Sequence, residues 1–381
     1  MDRSSQVCHS SRLLAVISLL FVVSCTLISP NERTFVDIST GSYMASITPS
    51  GEQKCGMIRY QHYGYGTVDP SGQDVYTSSL DSSRVLSVIS LATGKNISEI
   101  RTNLANMSPV VWANNKEIIV TGEKSRAFSS TQEVLEVIND LPKGHIVRII
   151  SLGYSYSTEI PPTPVVRGDG VLVLINDPGT GNFVTLDYVD YKSGKIARSV
   201  PIQNNGPAGW PWGIYVDSSR ILVYGTNLDG GSALYSLSIN LKQMSLGMVQ
   251  NLNFFDPIYA IEKDPLQKST ILVLAGSVAN RNSLALEEFD PRSDLVSRQL
   301  WTINSKNGVV LWGPPAMAID SAQGWAYISV PTYNGVSANL WRVPIGPQVS
   351  RRPSILLPGF VDNFPLLMSL SKTVVPQLRR C

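Results

Sequence analysis

Residues 66–77 read Gly-Thr-Val-Asp-Pro-Ser-Gly-Gln-Asp-Val-Tyr-Thr, and residues 213–224 read Gly-Ile-Tyr-Val-Asp-Ser-Ser-Arg-Ile-Leu-Val-Tyr. Each is an apolar run, a polar turn around an Asp, and a second run rich in Val, Ile and Tyr. The same unit returns at 260–274 and 317–328, with weaker copies at 110–120 and 165–174. Its turn residues (Asp69, Asn114, Gly168, Asp217, Asp264 and Asp320) recur about every 50 residues. A fixed period of that length marks a repeat architecture rather than a string of unrelated domains.

Working outward, each unit continues into a second pair of β-rich runs, as at Leu86–Lys95 and Val184–Lys195. After the first 30 residues no window of 12 or more keeps helical i, i+3, i+4 apolar spacing. Short strands alternate instead with Gly, Pro, Asn, Asp and Ser. Four short strands per unit of about 40–50 residues predicts an all-β propeller of four-stranded blades. Six units are visible, and the chain ends supply material for a seventh. Pro365–Ser371 has the pattern of an innermost strand, and residues 34–47 match the outer half of a blade. There Thr40-Gly41 stands where Thr93-Gly94 and Ser193-Gly194 turn in other units. The expectation is a seven-bladed β-propeller over 33–381, its ring closed by N-terminal outer strands pairing with C-terminal inner strands. Closure removes exposed strand edges, which otherwise invite aggregation.

In this periodicity the chain resembles the broad secreted seven-bladed propeller class with YVTN- and WD40-like repeats. The resemblance spans nearly the whole chain after the leader, but the Gly-His and Trp-Asp signature of WD40 blades is absent. It implies that loops leading into the innermost strands gather on one face around a central channel, where ligands bind. We call that face the mouth.

Composition narrows the partners. Of 381 residues 43% are hydrophobic and only 16% charged, so a large core is available and a disordered chain is excluded. Lys and Arg number 31 against 29 Asp and Glu, with no long charge run, which argues against a nucleic-acid partner. Residues 1–24 read as a signal peptide, with Arg3 and Arg12 ahead of the apolar run Leu13–Val23 and a cleavage site before Cys25. An uncleaved anchor and a lipid-bearing Cys25 are the alternatives, and membrane contact is expected only through one of these. Residues 25–32 would be a linker. All three readings place the rest outside the cytosol, secreted or at the cell surface. Asn96 and Asn106 open glycosylation tripeptides, and Cys55 and Cys381 form a disulfide candidate at the propeller seam.

Chemistry is sparser than architecture. Aromatics make up 8% of the chain, yet they cluster in five of the loops leading into innermost strands. Those loops supply the candidate ligand-binding residues His62, Tyr63, Tyr65, Trp210, Trp212, Asp256, Trp312 and Asp362. Such rings with a few polar groups suit sugar rings or apolar side chains. The turn Asp residues are read as capping their own turns. His62 and His145 are the histidines beyond the leader, too few for a multi-histidine metal site. No Gly-x-Ser-x-Gly elbow, phosphate-binding loop or haem motif occurs, so no catalytic residue, metal or cofactor is assigned. His62, with Glu159 or Asp256, is the one general-base candidate. Arg167-Gly168-Asp169 is an adhesion-type tripeptide in a turn. The function expected is a non-catalytic extracellular binding or scaffold module for a glycan, peptide or partner protein. The alternative is a lactonase- or lyase-like propeller enzyme acting on an extracellular small molecule or sugar.

Overall fold

Apolar runs without polar alternation, such as Val171–Ile175 and Ile271–Ala275, belong to strands buried on both faces. In the computed structural model they do lie so. Successive residues point to opposite faces, so Val171 and Val173 pack towards one neighbouring sheet while Leu172 and Leu174 pack towards the other. Ile271 and Val273 divide from Leu272 and Leu274 in the same way. The structure describes residues 35–40, 43–47, 54–124, 131–155, 164–167, 170–177, 183–202, 210–217, 220–226, 232–240, 245–252, 257–267, 269–276, 283–303, 316–331, 338–346, 352–360 and 365–371. All of them fall in the compact unit Thr34–Cys381.

The chain begins with β1 (Phe35–Thr40), β2 (Tyr43–Ile47) and β3 (Lys54–Arg59). Six sheets of four consecutive strands follow. The first holds β4 (Gly64–Val68), β5 (Asp74–Ser79), β6 (Val85–Ser90) and β7 (Asn96–Arg101). The second holds β8 (Val111–Asn114), β9 (Glu117–Lys124), β10 (Thr131–Asn139) and β11 (His145–Ser155). The third holds β12 (Val165–Arg167), β13 (Gly170–Asp177), β14 (Phe183–Asp190) and β15 (Lys195–Ile202). The fourth holds β16 (Trp210–Val216), β17 (Arg220–Thr226), β18 (Ser232–Asn240) and β19 (Ser245–Asn251). The fifth holds β20 (Ile258–Lys263), β21 (Ile271–Gly276), β22 (Leu284–Asp290) and β23 (Leu295–Ile303). The sixth holds β24 (Ala316–Asp320), β25 (Trp325–Pro331), β26 (Ala338–Pro344) and β27 (Ser354–Phe360). The last strand, β28 (Pro365–Ser371), joins the beginning of the chain in a further four-stranded sheet of order β28-β1-β2-β3. Its register sets Ile38 opposite Met368 and Val36 opposite Leu370.

Two details of the N-terminal expectation change. The segment supplies three strands of that composite sheet rather than an outer pair, because residues 54–59 also pair with β2. Thr40-Gly41 follows the second strand of its sheet, whereas Thr93-Gly94 and Ser193-Gly194 join third to fourth strands. At those two turns Gly94 and Gly194 take φ of 65° and 75°, a backbone that favours glycine. The shared Thr/Ser-Gly pair thus does not fix the rank of the strand it follows.

The core lies between sheets. Tyr76, Leu86 and Val88 of the first meet Ile118, Val120 and Val134 of the second. Met44 and Ile58 of the composite sheet meet Val75 and Ile89 of the first. Exposure follows strand rank. Second and third strands are mostly buried where described, outer strands such as β15 and β23 are largely exposed, and innermost strands stay part-exposed at 111–113, 165–167 and 213–216. Innermost strands also adjoin one another, β16 beside β20, β24 beside β28, and β28 beside β4.

Candidate functional site

Residues 60–63 connect β3 to β4 and belong to the mouth. The chain is held there by backbone, with the Leu80 N–H donating to the Tyr63 carbonyl at 2.7 Å. Gly64 follows at a place where a Cβ would meet the Ser78 carbonyl oxygen at 1.7 Å. That close approach fixes the connection against the end of β5. His62 Nδ1 lies 3.6 Å from Asp81 Oδ2, the two side chains being 27% and 44% exposed. Asp81 also accepts from the Ser83 N–H at 2.7 Å. Part burial pushes its carboxyl up, but the Ser83 hydrogen bonds and neighbouring His62 together hold it below the usual carboxylate range. Tyr63, the next residue in sequence, is 48% exposed. The connection thus presents the part-exposed His62–Asp81 pair and, next in sequence, an exposed tyrosine.

Other predicted residues fare differently. Tyr65 lies within β4 at 3% exposure, and burial, then Tyr63, pushes its phenol well up. It presents almost no surface to solvent. Trp210 and Trp212 were expected just before an innermost strand, yet they lie inside β16, with Trp210 opposite Thr226. A bulge between Pro211 and Gly213 accommodates the proline, on an edge strand where a missing N–H is tolerated. Asp256, Trp312, Asp362 and Glu159 lie outside the described residues, as do the leader, the 25–32 linker and Cys381. Cys55 is in β3. His145 opens β11 with its side chain 71% exposed, its Nε2 3.3 Å from Asp140 Oδ2. Of the adhesion-type tripeptide only Arg167 is described, at the end of β12, where its carbonyl accepts from the Tyr188 hydroxyl.

The two glycosylation candidates differ in setting. Asn96 is exposed at the start of β7, its Nδ2 donating to Gln61 Oε1 at 3.0 Å and to Glu99 Oε1 at 3.2 Å. Asn106 has a φ of 47° and donates to Glu123 Oε2 at 3.2 Å, while Ser108 of its tripeptide is fully buried.

The turn aspartates act as caps. Asp69 accepts from the Gln73 and Asp74 N–H groups at 2.7 and 2.9 Å, and Asp320 from Ala322 and Gln323 at 3.1 and 3.0 Å. No group of three or more His, Cys, Asp or Glu side chains suited to a metal ion occurs among the described residues.

Sequence reading missed the buried carboxyls. Glu136 is fully buried in β10, its Oε1 accepting from the Asn103 N–H and Nδ2 at 3.1 and 2.8 Å, and burial pushes it up. It pins the connection from β7 to β8. Glu262, on innermost strand β20, is part-buried, and burial pushes its carboxyl up to about 7 against the Lys263 backbone hydrogen bond. The one available signal was a lone acidic residue inside an apolar repeat copy, Ala260-Ile-Glu-Lys.

Comparison with known proteins gives a fold. No family model matches the chain, and no curated protein matches it. Solved structures do. The periplasmic gluconolactonase PpgL of Pseudomonas aeruginosa matches with a TM-score of 0.60 at 12% identity, over 90% of this chain and 99% of that one. The dihydro-heme d1 dehydrogenase NirN matches at 0.53 and 13% identity, over 90% and 75%. The Swd1 β-propeller domain of Myceliophteria thermophila matches at 0.50 and 11% identity, over 79% and 91%.

The chain is a β-propeller.

Its four-stranded sheets are the blades. The neighbours include enzymes and a propeller domain not named as one, so the shared fold selects no activity.

Proposed function

We propose that this propeller is a non-catalytic, secreted or cell-surface binding or scaffold module that takes a glycan, peptide or partner protein at its mouth. The observation that carries the reading is the described connection 60–63, which presents an exposed Tyr63 directly after His62 and its partner Asp81. An aromatic face covers an apolar patch of sugar or side chain, and the adjoining polar pair orients it. In this reading the composite sheet is the seventh blade and closes the ring. A Cys55–Cys381 disulfide would clamp that seam, contributing roughly 2–4 kcal/mol. Failure of both thiols to react with an alkylating probe before reduction supports the clamp, and their ready labelling counts against it. The leader and glycans on Asn96 and Asn106 complete an extracellular protein.

The enzymatic reading draws on the same pair. Asp81 beside Nδ1 would orient His62 so that Nε2 faces a substrate as general base, and the neighbour named a gluconolactonase keeps lactones among the substrates to try. The test is a binding screen of the mature protein on glycan and surface-protein arrays, run beside an assay for lactone hydrolysis. Saturable array binding without turnover supports the module. Turnover lost in His62→Ala supports the enzyme instead.

A further inference from the structure

Two neighbouring outermost strands carry exposed charge of one sign. Residues 141–155, which lead into and form β11, hold Lys143 and Arg148 and no Asp or Glu. Residues 191–202, which lead into and form β15, hold Lys192, Lys195 and Arg198, again without an acid. All five cations are exposed. The acids that open the two turns are engaged. Asp140 Oδ2 lies 3.3 Å from His145 Nε2, and Asp190 accepts from the Lys192 and Ser193 N–H groups at 3.0 and 3.1 Å.

The two strands adjoin at their outer edges. Arg148 is the cross-strand partner of Val137 and Ile196 that of Val189, and both valines belong to the core between the second and third sheets. Arg148 and Ile196 therefore flank the outer end of that core, and a Cβ at Gly194 would lie 3.8 Å from Arg148 Cδ. Around the edge of β11, Val147 and Ile149 extend the surface. Val147, Ile149 and Ile196 are 41%, 52% and 39% exposed, whereas Ile150 and Leu152 further along β11 are buried.

The partner such a surface suits is anionic and partly apolar. A polyanionic glycan would meet the cations and leave the aliphatic side chains in water. An acidic peptide added as a further strand needs a regular open edge. β11 is bulged opposite Val137 and Ile138 with Arg148 at the bulge, and bulges and edge cations are the features by which edge strands refuse partners. An anionic lipid surface uses both parts, the cations meeting headgroups while the aliphatic side chains enter the boundary beneath them.

We propose that the outer rim of the second and third blades, at 143–149 and 192–198, docks on an anionic phospholipid bilayer. The proposal is independent of what the mouth binds.

The experiment is co-sedimentation of the full chain with vesicles of phosphatidylcholine containing phosphatidylserine, and with vesicles of phosphatidylcholine alone. Partition favours the anionic vesicles about tenfold or more. It falls about tenfold when salt is raised from ~0.1 M to ~1 M, which shortens the screening length from roughly 10 Å to roughly 3 Å. Arg148→Gln with Lys195→Gln weakens it about twentyfold, from about fivefold for each cation. Ile149→Ser with Ile196→Ser weakens it about tenfold, and Tyr63→Ala leaves it unchanged. These results support the rim. Equal partition into both vesicles, no partition, or folded rim variants that bind like wild type overturn it. So does loss of partition in Tyr63→Ala, which would put the contact at the mouth. Retention on immobilised heparin without partition into vesicles overturns it in favour of a polyanionic glycan. If a double variant does not fold, the single change Lys195→Gln at an exposed side chain decides by its fivefold loss.

Discussion

At the scale of single residues, two positions show how tightly side chain and backbone are matched. Gly213 leaves the space that the Tyr224 ring fills, and any Cβ there would overlap ring carbons. Gly213→Ala should destabilise the protein by about 1–3 kcal/mol, the usual cost of overpacking. Urea unfolding of the two proteins checks this, and equal midpoints would show that the ring moves aside freely. Glu262 makes the second case. Its folded pKa, raised to about 7, lies above that of an exposed glutamate, so the folded state holds the proton more tightly than the unfolded chain. Stability from this group is present below the ordinary glutamate range and is lost as pH rises towards about 7. Allowing for its partial exposure, the loss is on the order of 2 kcal/mol. Buried Glu136 and Asp187 are shifted in the same direction and reinforce the slope. Comparing Glu262→Gln with wild type across pH 4.5–8 isolates its share: the stability difference should change with pH, and a constant offset would refute the assignment.

At the scale of elements, the β1–β28 pair joins the two ends of the chain. β1 lies between β28 and β2, so its N–H groups are needed by one ladder or the other. Ile38→Pro removes such a donor from a central strand and should cost about 3 kcal/mol or more. A melting temperature equal to wild type would mean that the composite sheet contributes nothing to the fold. Much of this level was legible in the sequence. The repeat turns at Asp69, Asp217, Asp264 and Asp320 lie between the first two strands of a sheet or at the end of the first, because an Asp that caps its own turn leaves a local, periodic mark. Strand starts were harder. Pro211 hid the beginning of β16, since a bulge on an edge strand is decided by packing and not by local preference. The ranking of the N-terminal strands was also hidden, because β1–β3 are ordered by a partner more than 300 residues away in sequence. Site residues were least legible. Tyr63 and Tyr65 are two positions apart in one Tyr-Gly-Tyr, yet the first is exposed and the second sealed, which strand alternation alone does not foretell across the beginning of β4.

At the scale of the whole molecule, the blades give a rigid frame whose sealed second and third strands fix what the connections present. The central claim is that the mouth of this propeller binds a partner through the surface group around Tyr63. Its most direct test is the affinity of the strongest array ligand for wild type and for Tyr63→Ala, with circular dichroism and melting measured on both. Losing the exposed ring should weaken binding about fivefold or more, the effect of roughly 1 kcal/mol of aromatic contact, while the melting temperature stays within a degree or two. Equal affinity with an intact fold would contradict the account, and would mean that whatever this protein binds, it does not bind it there.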